Sequence, residues 1–203
     1  MDIVKGDRTM RHLVMAMAVV AAAVLTVGLV GCEPQKKGAG AAGKLVLRVN
    51  CAADKEYTDE TGAKWMPDQV WKEGAPYGAV EGQTILREGL KITGTKAPGV
   101  YLTERYSMKA YRFDVPPGKY TVRLHFAETF PGIVESGPRV FTVAIQGKPV
   151  LTDLDVMKAA GGFGKPLVKE FKGVAVAADK KLMIEFTAKT QNSEINGIEI
   201  IGE

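Results

Sequence analysis

The stretch from Tyr111 to Glu128 reads Y-R-F-D-V-P-P-G-K-Y-T-V-R-L-H-F-A-E and does most to limit what this chain can fold into. Tyr120, Val122, Leu124 and Phe126 alternate with Thr121, Arg123 and His125, the period-2 pattern of a strand with one buried face. Such a strand belongs in the middle of a sheet. Pro116-Pro117-Gly118 cannot sit inside a sheet, so the chain reverses there and a hairpin with Tyr111–Val115 is predicted. The strand ends in Glu128, Phe130 and Pro131-Gly132, so a rigid element presents an irregular rim, the usual setting of a site.

The same punctuation runs through the rest of the chain. Leu45–Asn50, Gln83–Glu88, Val100–Tyr106, Arg139–Gln146, Val150–Leu154, Leu167–Ala177, Lys181–Ala188 and Ile195–Ile201 are further short β-rich runs, and Gly147-Lys148 and Ala178-Asp179-Lys180 are turns that predict two more hairpins. Asp155–Ala160, closed by Gly161-Gly162, is the one short helix. Many short strands with regular turn signals and almost no helix indicate an all-β fold, an antiparallel β-sandwich of jelly-roll type. Ala52 to Gly82 lacks periodicity, and Trp65 and Trp71 are expected to form the local core that holds it. Tyr77, between turn residues, is expected to be exposed.

The first residues are mixed in charge, and Leu13 to Val30 then carries no charge at all before Gly31-Cys32. A basic start, an apolar run and small residues before a cysteine read as a secretory signal over residues 1–31. Leu29-Val30-Gly31-Cys32 resembles the lipobox of bacterial lipoproteins, which implies lipidation of Cys32 and, with Glu33 next, an outer-membrane destination where the cell has one. An uncleaved membrane span is the alternative, since the run is just long enough to cross a bilayer. Residues 32–43 lack large apolar side chains and form a tether, leaving 44–203 as one folded domain. Besides Cys32 the chain has one cysteine, Cys51, so no intrachain disulfide is expected and Cys51 is a small buried residue. Lys plus Arg is 27 against 23 for Asp plus Glu, an excess too small and too scattered to argue for nucleic acid.

Catalytic equipment is sparse. The domain's only histidine, His125, lies on the polar face of its strand and reads as solvated. Asp153 and Asp155 read as turn or helix-start residues, with no metal-ligand motif around them. No G-x-S-x-G or phosphate loop occurs, and no cofactor is called for. Glu128 with Glu135 would be the carboxylate pair for glycoside cleavage, a role that depends on their separation. Binding is better supported. A sugar site wants flat aromatics for its C–H faces and amides or carboxylates for its hydroxyls, and Tyr77, Tyr106, Phe130 and Gln191-Asn192-Ser193 lie in loops or at strand ends.

Several strings carry a family resemblance: R-V-N-C at Arg48–Cys51, W-M-P-D at Trp65–Asp68, T-E-R-Y at Thr103–Tyr106, the Tyr111–Glu128 stretch, R-V-F-T-V-A-I-Q-G at Arg139–Gly147, D-L-D-V at Asp153–Val156 and I-N-G-I-E-I at Ile195–Ile200. Together and in this order they resemble the malectin domain across the whole globular part. The resemblance implies a jelly-roll-like β-sandwich that binds carbohydrate without cleaving it. Residue by residue, it implies sugar contacts from Tyr77, which precedes a glycine, from Tyr106 of T-E-R-Y, and from an aromatic pair that falls here on Thr129 and Phe130. The family's late aspartate aligns with Gln191, beside Asn192. Tyr106 and Phe130 would stack or flank sugar rings, Tyr77, Gln191 and Asn192 would hydrogen-bond hydroxyls, and Glu128 would orient the rim or bind a hydroxyl. Arg105 is expected to pair with a carboxylate.

The expected protein is therefore an exported, lipid-anchored, non-catalytic binder of a glucose-containing di- or oligosaccharide. The alternative from another class is a protein-interaction or structural module of the cell envelope that keeps the fold without the sugar site.

Overall fold

The computed structural model describes residues 46–178 and 180–203. The expected signal segment, Cys32 and the tether lie outside the described residues, as do Lys44, Leu45 and Asp179 of the expected turn. Fourteen strands follow in chain order: β1 (Val46–Asn50), β2 (Tyr57–Thr58), β3 (Lys64–Trp65), β4 (Tyr77–Val80), β5 (Gln83–Leu86), β6 (Thr103–Tyr106), β7 (Ala110–Phe113), β8 (Gly118–Phe126), β9 (Val140–Ile145), β10 (Lys148–Asp155), β11 (Leu167–Val176), β12 (Leu182–Thr190), β13 (Glu194–Ile195) and β14 (Gly197–Gly202). They pair antiparallel. One sheet runs β1-β14-β8-β11, a second runs β10-β9-β12-β7-β4, a small sheet runs β13-β6-β5, and β2-β3 form a two-stranded ribbon.

The alternation in β8 has the consequence expected of it, because the strand sits between β14 and β11. Val122, Leu124 and Phe126 of β8, with Ile198 and Ile200 of β14, share one buried cluster with Tyr111 and Phe113 of β7, Phe141 and Val143 of β9, and Ile184 and Phe186 of β12. Phe126 meets Phe141 across the two sheets with ring centroids 6.0 Å apart. Each such side chain contributes roughly 1.5–3 kcal/mol by leaving water, and the two large sheets thereby form the expected sandwich.

Two of the three expected hairpins are not hairpins. β7 and β8 flank Pro116-Pro117-Gly118, yet β7 pairs with β12 and β4 while β8 pairs with β14 and β11. The turn is an arch that carries the chain from one sheet to the other. β11 and β12 likewise belong to opposite sheets. A turn signal fixes where the chain reverses, and only burial decides which sheet receives it. The third hairpin is real: Ile145 pairs with Lys148 across Gln146-Gly147, whose φ of 52° and 72° are the left-handed pair of a type I′ turn.

The expected short helix is present, and a second joins it among the described residues. α1 (Ile133–Ser136) is a single turn in the loop after β8. α2 (Val156–Ala160) begins at Asp155, whose carboxylate accepts from Lys158 N at 3.0 Å. Val100, expected in a strand, lies in a 3₁₀ turn, Pro98–Leu102, that precedes β6.

The Ala52–Gly82 stretch, expected to be irregular, carries the short strands β2, β3 and β4, and a second cluster in which Trp65 packs with Val100, Tyr101 and Ala127 holds it. Trp71 does not join it. That ring is half-buried, with the Arg112 guanidinium 6.0 Å and the Lys181 ammonium 5.7 Å from its centroid. His125 is also not solvated: Tyr101 Oη lies 2.8 Å from Nδ1, Glu199 Oε1 lies 3.0 Å from Nε2, and Trp65 meets the ring edge-on. The 3₁₀ turn covers what would have been the wet face of β8 at this point. Cys51 is fully buried, as its composition class implies.

Candidate functional site

The small sheet β13-β6-β5 builds the site. Gln83 pairs with Tyr106 and Ile85 with Glu104, while Glu194 pairs with Tyr106 on the other side. Side chains alternate across a strand, so Ile85, Glu104 and Tyr106 share one face. A cleft of about 180 Å³ opens on that face, lined by Ile85, Glu104 and Tyr106 from the sheet, Arg87 just past β5, Phe130 and Arg139 from the β8–β9 connection, and Gln191 and Asn192 from the β12–β13 turn.

Tyr106 is half-exposed at the end of β6, and its hydroxyl donates to Gln83 Oε1 at 2.7 Å. Phe130 is half-exposed opposite, with the Arg87 guanidinium 5.8 Å from its ring centroid. Gln191 adopts φ 58°, and its amide Nε2 donates to Gly137 O and, at 3.2 Å, to Ser136 O. It thus ties the end of α1 to the β12–β13 turn, and its Oε1 remains for a ligand. Asn192 is exposed and makes no side-chain hydrogen bond among the described residues. Four of the six residues selected from the sequence are therefore brought together.

The other two lie elsewhere. Tyr77 is 6% exposed, which corrects the expectation of an exposed ring. It starts β4, pairs with Phe113, stacks on the Phe113 ring and donates its hydroxyl to Pro67 O at 2.7 Å. It does not line the cleft. Glu128 is also buried, which removes it from reach of a hydroxyl in solution. Its Oε1 accepts from Phe130 N at 2.9 Å, so it orients the rim that carries the aromatic ring.

Beneath the cleft is a buried charge cluster. Arg139 Nη1 donates to Glu104 Oε1 at 2.9 Å, and Arg139 Nε lies 3.0 Å from Glu128 Oε2 without an aligned hydrogen bond. Thr129 is buried and donates to Glu104 Oε2 at 2.8 Å. Its position points inward, so Phe130 alone supplies a ring from the expected aromatic pair. Glu194 is wholly buried, and neither carboxylate oxygen has a hydrogen-bond partner among the described residues. Burial pushes its carboxyl well above the usual range, Glu104 and Glu128 push it further, and Arg139 opposes them. Burial also raises Glu128, with Arg139 and the Phe130 amide pulling back.

Arg87, Glu104 and Arg139 carry no role in the sequence reading. Glu104 and Arg139 lie within strings that carry the family resemblance, which was the available signal; their convergence is a product of the fold. Arg105, expected to pair with a carboxylate, places Nε 2.6 Å from Asp68 Oδ2. Of the two carboxylates weighed as a pair from the sequence, Glu128 is buried and held by Arg139, and Glu135 is exposed on α1.

A malectin domain model matches residues 45–202. Receptor-like protein 4 of Arabidopsis thaliana is 28% identical over 80% of this chain and 28% of its own length. Malectin-A of Xenopus laevis is 29% identical over 61% of this chain and 44% of its own. Among solved structures, Bacteroides uniformis β-glucuronidase superposes with a TM-score of 0.69 at 27% identity, over 78% of this chain and 18% of the enzyme. The chain thus spans less than half the length of each.

Proposed function

Because this chain belongs to the malectin domain family, we propose that it binds a glucose-containing di- or oligosaccharide in the cleft between Tyr106 and Phe130 and releases it uncleaved. Membership makes it a carbohydrate-binding-like domain; the ligand, the site and the setting are the proposal. The observation that carries it is the convergence of Tyr106, Phe130, Gln191 and Asn192, drawn from three separate segments, on one cleft. Half-exposed rings offer faces to sugar C–H groups, and an unengaged asparagine amide can both donate to and accept from hydroxyls. Glu104 and Glu128 share one guanidinium below the cleft, so their charge serves to hold Arg139 and Thr129 in place.

The proposal extends to the setting. The apolar run before Cys32 acts as an export signal, Cys32 takes the lipid, and the domain is displayed from the membrane, the outer one where present. Cells fed an alkynyl fatty acid should label the wild-type chain and leave Cys32→Ser unlabelled.

A second reading draws on the same cleft. Gln191 spends its donors on Gly137 and Ser136, Tyr106 spends its hydroxyl on Gln83, and Thr129 faces inward. Those features favour a module that keeps the fold and binds an envelope protein. Calorimetric titration of the full chain in detergent with maltose, nigerose, longer glucans and unrelated glycans separates the two. Sugar binding weakened roughly tenfold by Tyr106→Ala and by Phe130→Ala, about 1.4 kcal/mol of lost stacking, supports the lectin reading. Silence across the panel moves the assignment to the interaction module.

A further inference from the structure

A larger cleft lies on the opposite face of the same small sheet. It measures about 470 Å³ against 180 Å³ for the first, and falls within the range of about 300–1,000 Å³ usual for small-ligand sites. Its walls are Thr84 and Leu86 of β5, Leu102 and Thr103 at the start of β6, and the Ala52–Tyr57 segment; Asn50 lines it as well. Ile85 lines both clefts, so they meet around β5, the outermost strand of its sheet.

Asn50 is the informative residue. It is only 3% exposed, yet it lines this cleft. Thr103 Oγ1 donates to its Oδ1 at 2.8 Å, while its Nδ2, with no hydrogen-bond partner among the described residues, is not sealed from solvent and faces the cleft. A ligand acceptor entering the cleft can therefore take that donor in place of water. Around it stand an apolar surface, Tyr57, Leu86 and Leu102, and two exposed polar groups, Thr84 and Asp54, whose side chains are unengaged among the described residues. An acceptor deep in the cleft, donors toward Asp54 and an apolar ring face between them describe a pyranose better than an ion or a wholly apolar molecule.

We propose that this cleft, with Asn50 beneath it and Leu86 at its mouth, is a second saccharide subsite, so that one oligosaccharide passes around β5 and occupies both clefts. The inference rests on the lectin reading and adds to it that ligand length matters. The ligand is therefore a chain of several hexoses, and a disaccharide fills only part of its site.

The test uses the full chain in detergent micelles, labelled with ¹⁵N, and titrates maltose and maltohexaose while following the backbone amides of Leu86 and Asn192 and the side-chain amide of Asn50. Maltohexaose should move all three and bind at least fivefold tighter than maltose. Leu86→Arg changes an exposed side chain, so the fold survives, and it should erase the Leu86-side shifts and the length dependence while Asn192 still moves. Asn50→Asp keeps the acceptor for Thr103, removes the donor and should act in the same direction. Movement of Asn192 alone, with equal affinity for both sugars, overturns the second subsite and leaves the lectin reading standing. Silence at every probe overturns both. If an alternating Val-Thr octapeptide moves the Leu86 amide and neither sugar does, β5 is a peptide-docking edge and the subsite is overturned.

Discussion

Gly132 has no room for a side chain: a Cβ there would lie 2.7 Å from Phe130 Cζ. Its φ of −81° is open to any residue, so the constraint comes from the neighbouring ring and not from the backbone. Gly132→Ala should displace the half-exposed Phe130 ring, lowering sugar affinity severalfold with little change in melting temperature, as read by paired calorimetric titration and thermal melts. Glu194 makes the opposite kind of prediction, about stability. Its carboxyl is raised well above the usual range in the folded chain, so the folded state holds the proton more tightly than the unfolded one. The associated stability is complete below the ordinary glutamate value and is lost as pH rises from there through the raised folded value. Glu194→Gln should therefore flatten the fall in stability on the alkaline side of pH 5, checked by urea denaturation at a series of pH values. Glu199 titrates the other way: burial raises its carboxyl, but His125, Arg48 and Arg123 together outweigh burial and lower it. Its contribution is present above the ordinary glutamate value and lost as pH falls through the lowered one.

At the scale of elements, the β2-β3 ribbon and the 3₁₀ turn depend on Trp65. The indole is buried against Val100 and Tyr101, donates Nε1 to Asp59 Oδ2 at 3.0 Å, and meets His125 edge-on at 5.1 Å. Trp65→Ala should cost about 3–5 kcal/mol, measured by chemical denaturation. Because β6 follows directly from the 3₁₀ turn, the same variant should weaken any ligand bound by Tyr106. The expectation of a local tryptophan core was half legible. Both tryptophans sit among the same kinds of neighbours in the sequence, but Trp71 lies beside Arg112 and Lys181, contacts between residues far apart in the chain. Tyr77 fails for a similar reason. Its flanking proline and glycine suggest a turn, whereas pairing with Phe113 draws it into the core as the first residue of β4.

At the scale of the whole molecule, pairing joins the ends of the folded domain. β1 pairs with β14, and β14 in turn pairs with β8. Removing Gly197–Glu203 would strip the strand between β1 and β8 and expose the face buried by Ile198 and Ile200; the shortened chain should not fold cooperatively, which loss of a sharp urea transition would report. A topology that closes such long loops before it gains its contacts should fold in milliseconds to seconds, a range accessible to stopped-flow fluorescence from Trp65.

By itself the sequence determined the class of fold, the positions of ten of the fourteen described strands and the family, because side-chain alternation and turn chemistry are local properties written over a few residues; β2, β3, β4 and β13 are too short to show a period of their own. It also singled out Tyr106, Phe130, Gln191 and Asn192. The tertiary structure alone decided which sheet each strand joins, since Pro116-Pro117-Gly118 reverses the chain equally well within a sheet or between two. It alone buried Tyr77, Glu128 and Thr129, gathered Arg87, Glu104 and Arg139 at the cleft, and turned Asn50 toward the second one. Those outcomes depend on which distant surfaces are covered together, and burial on that scale is a property of the packed whole.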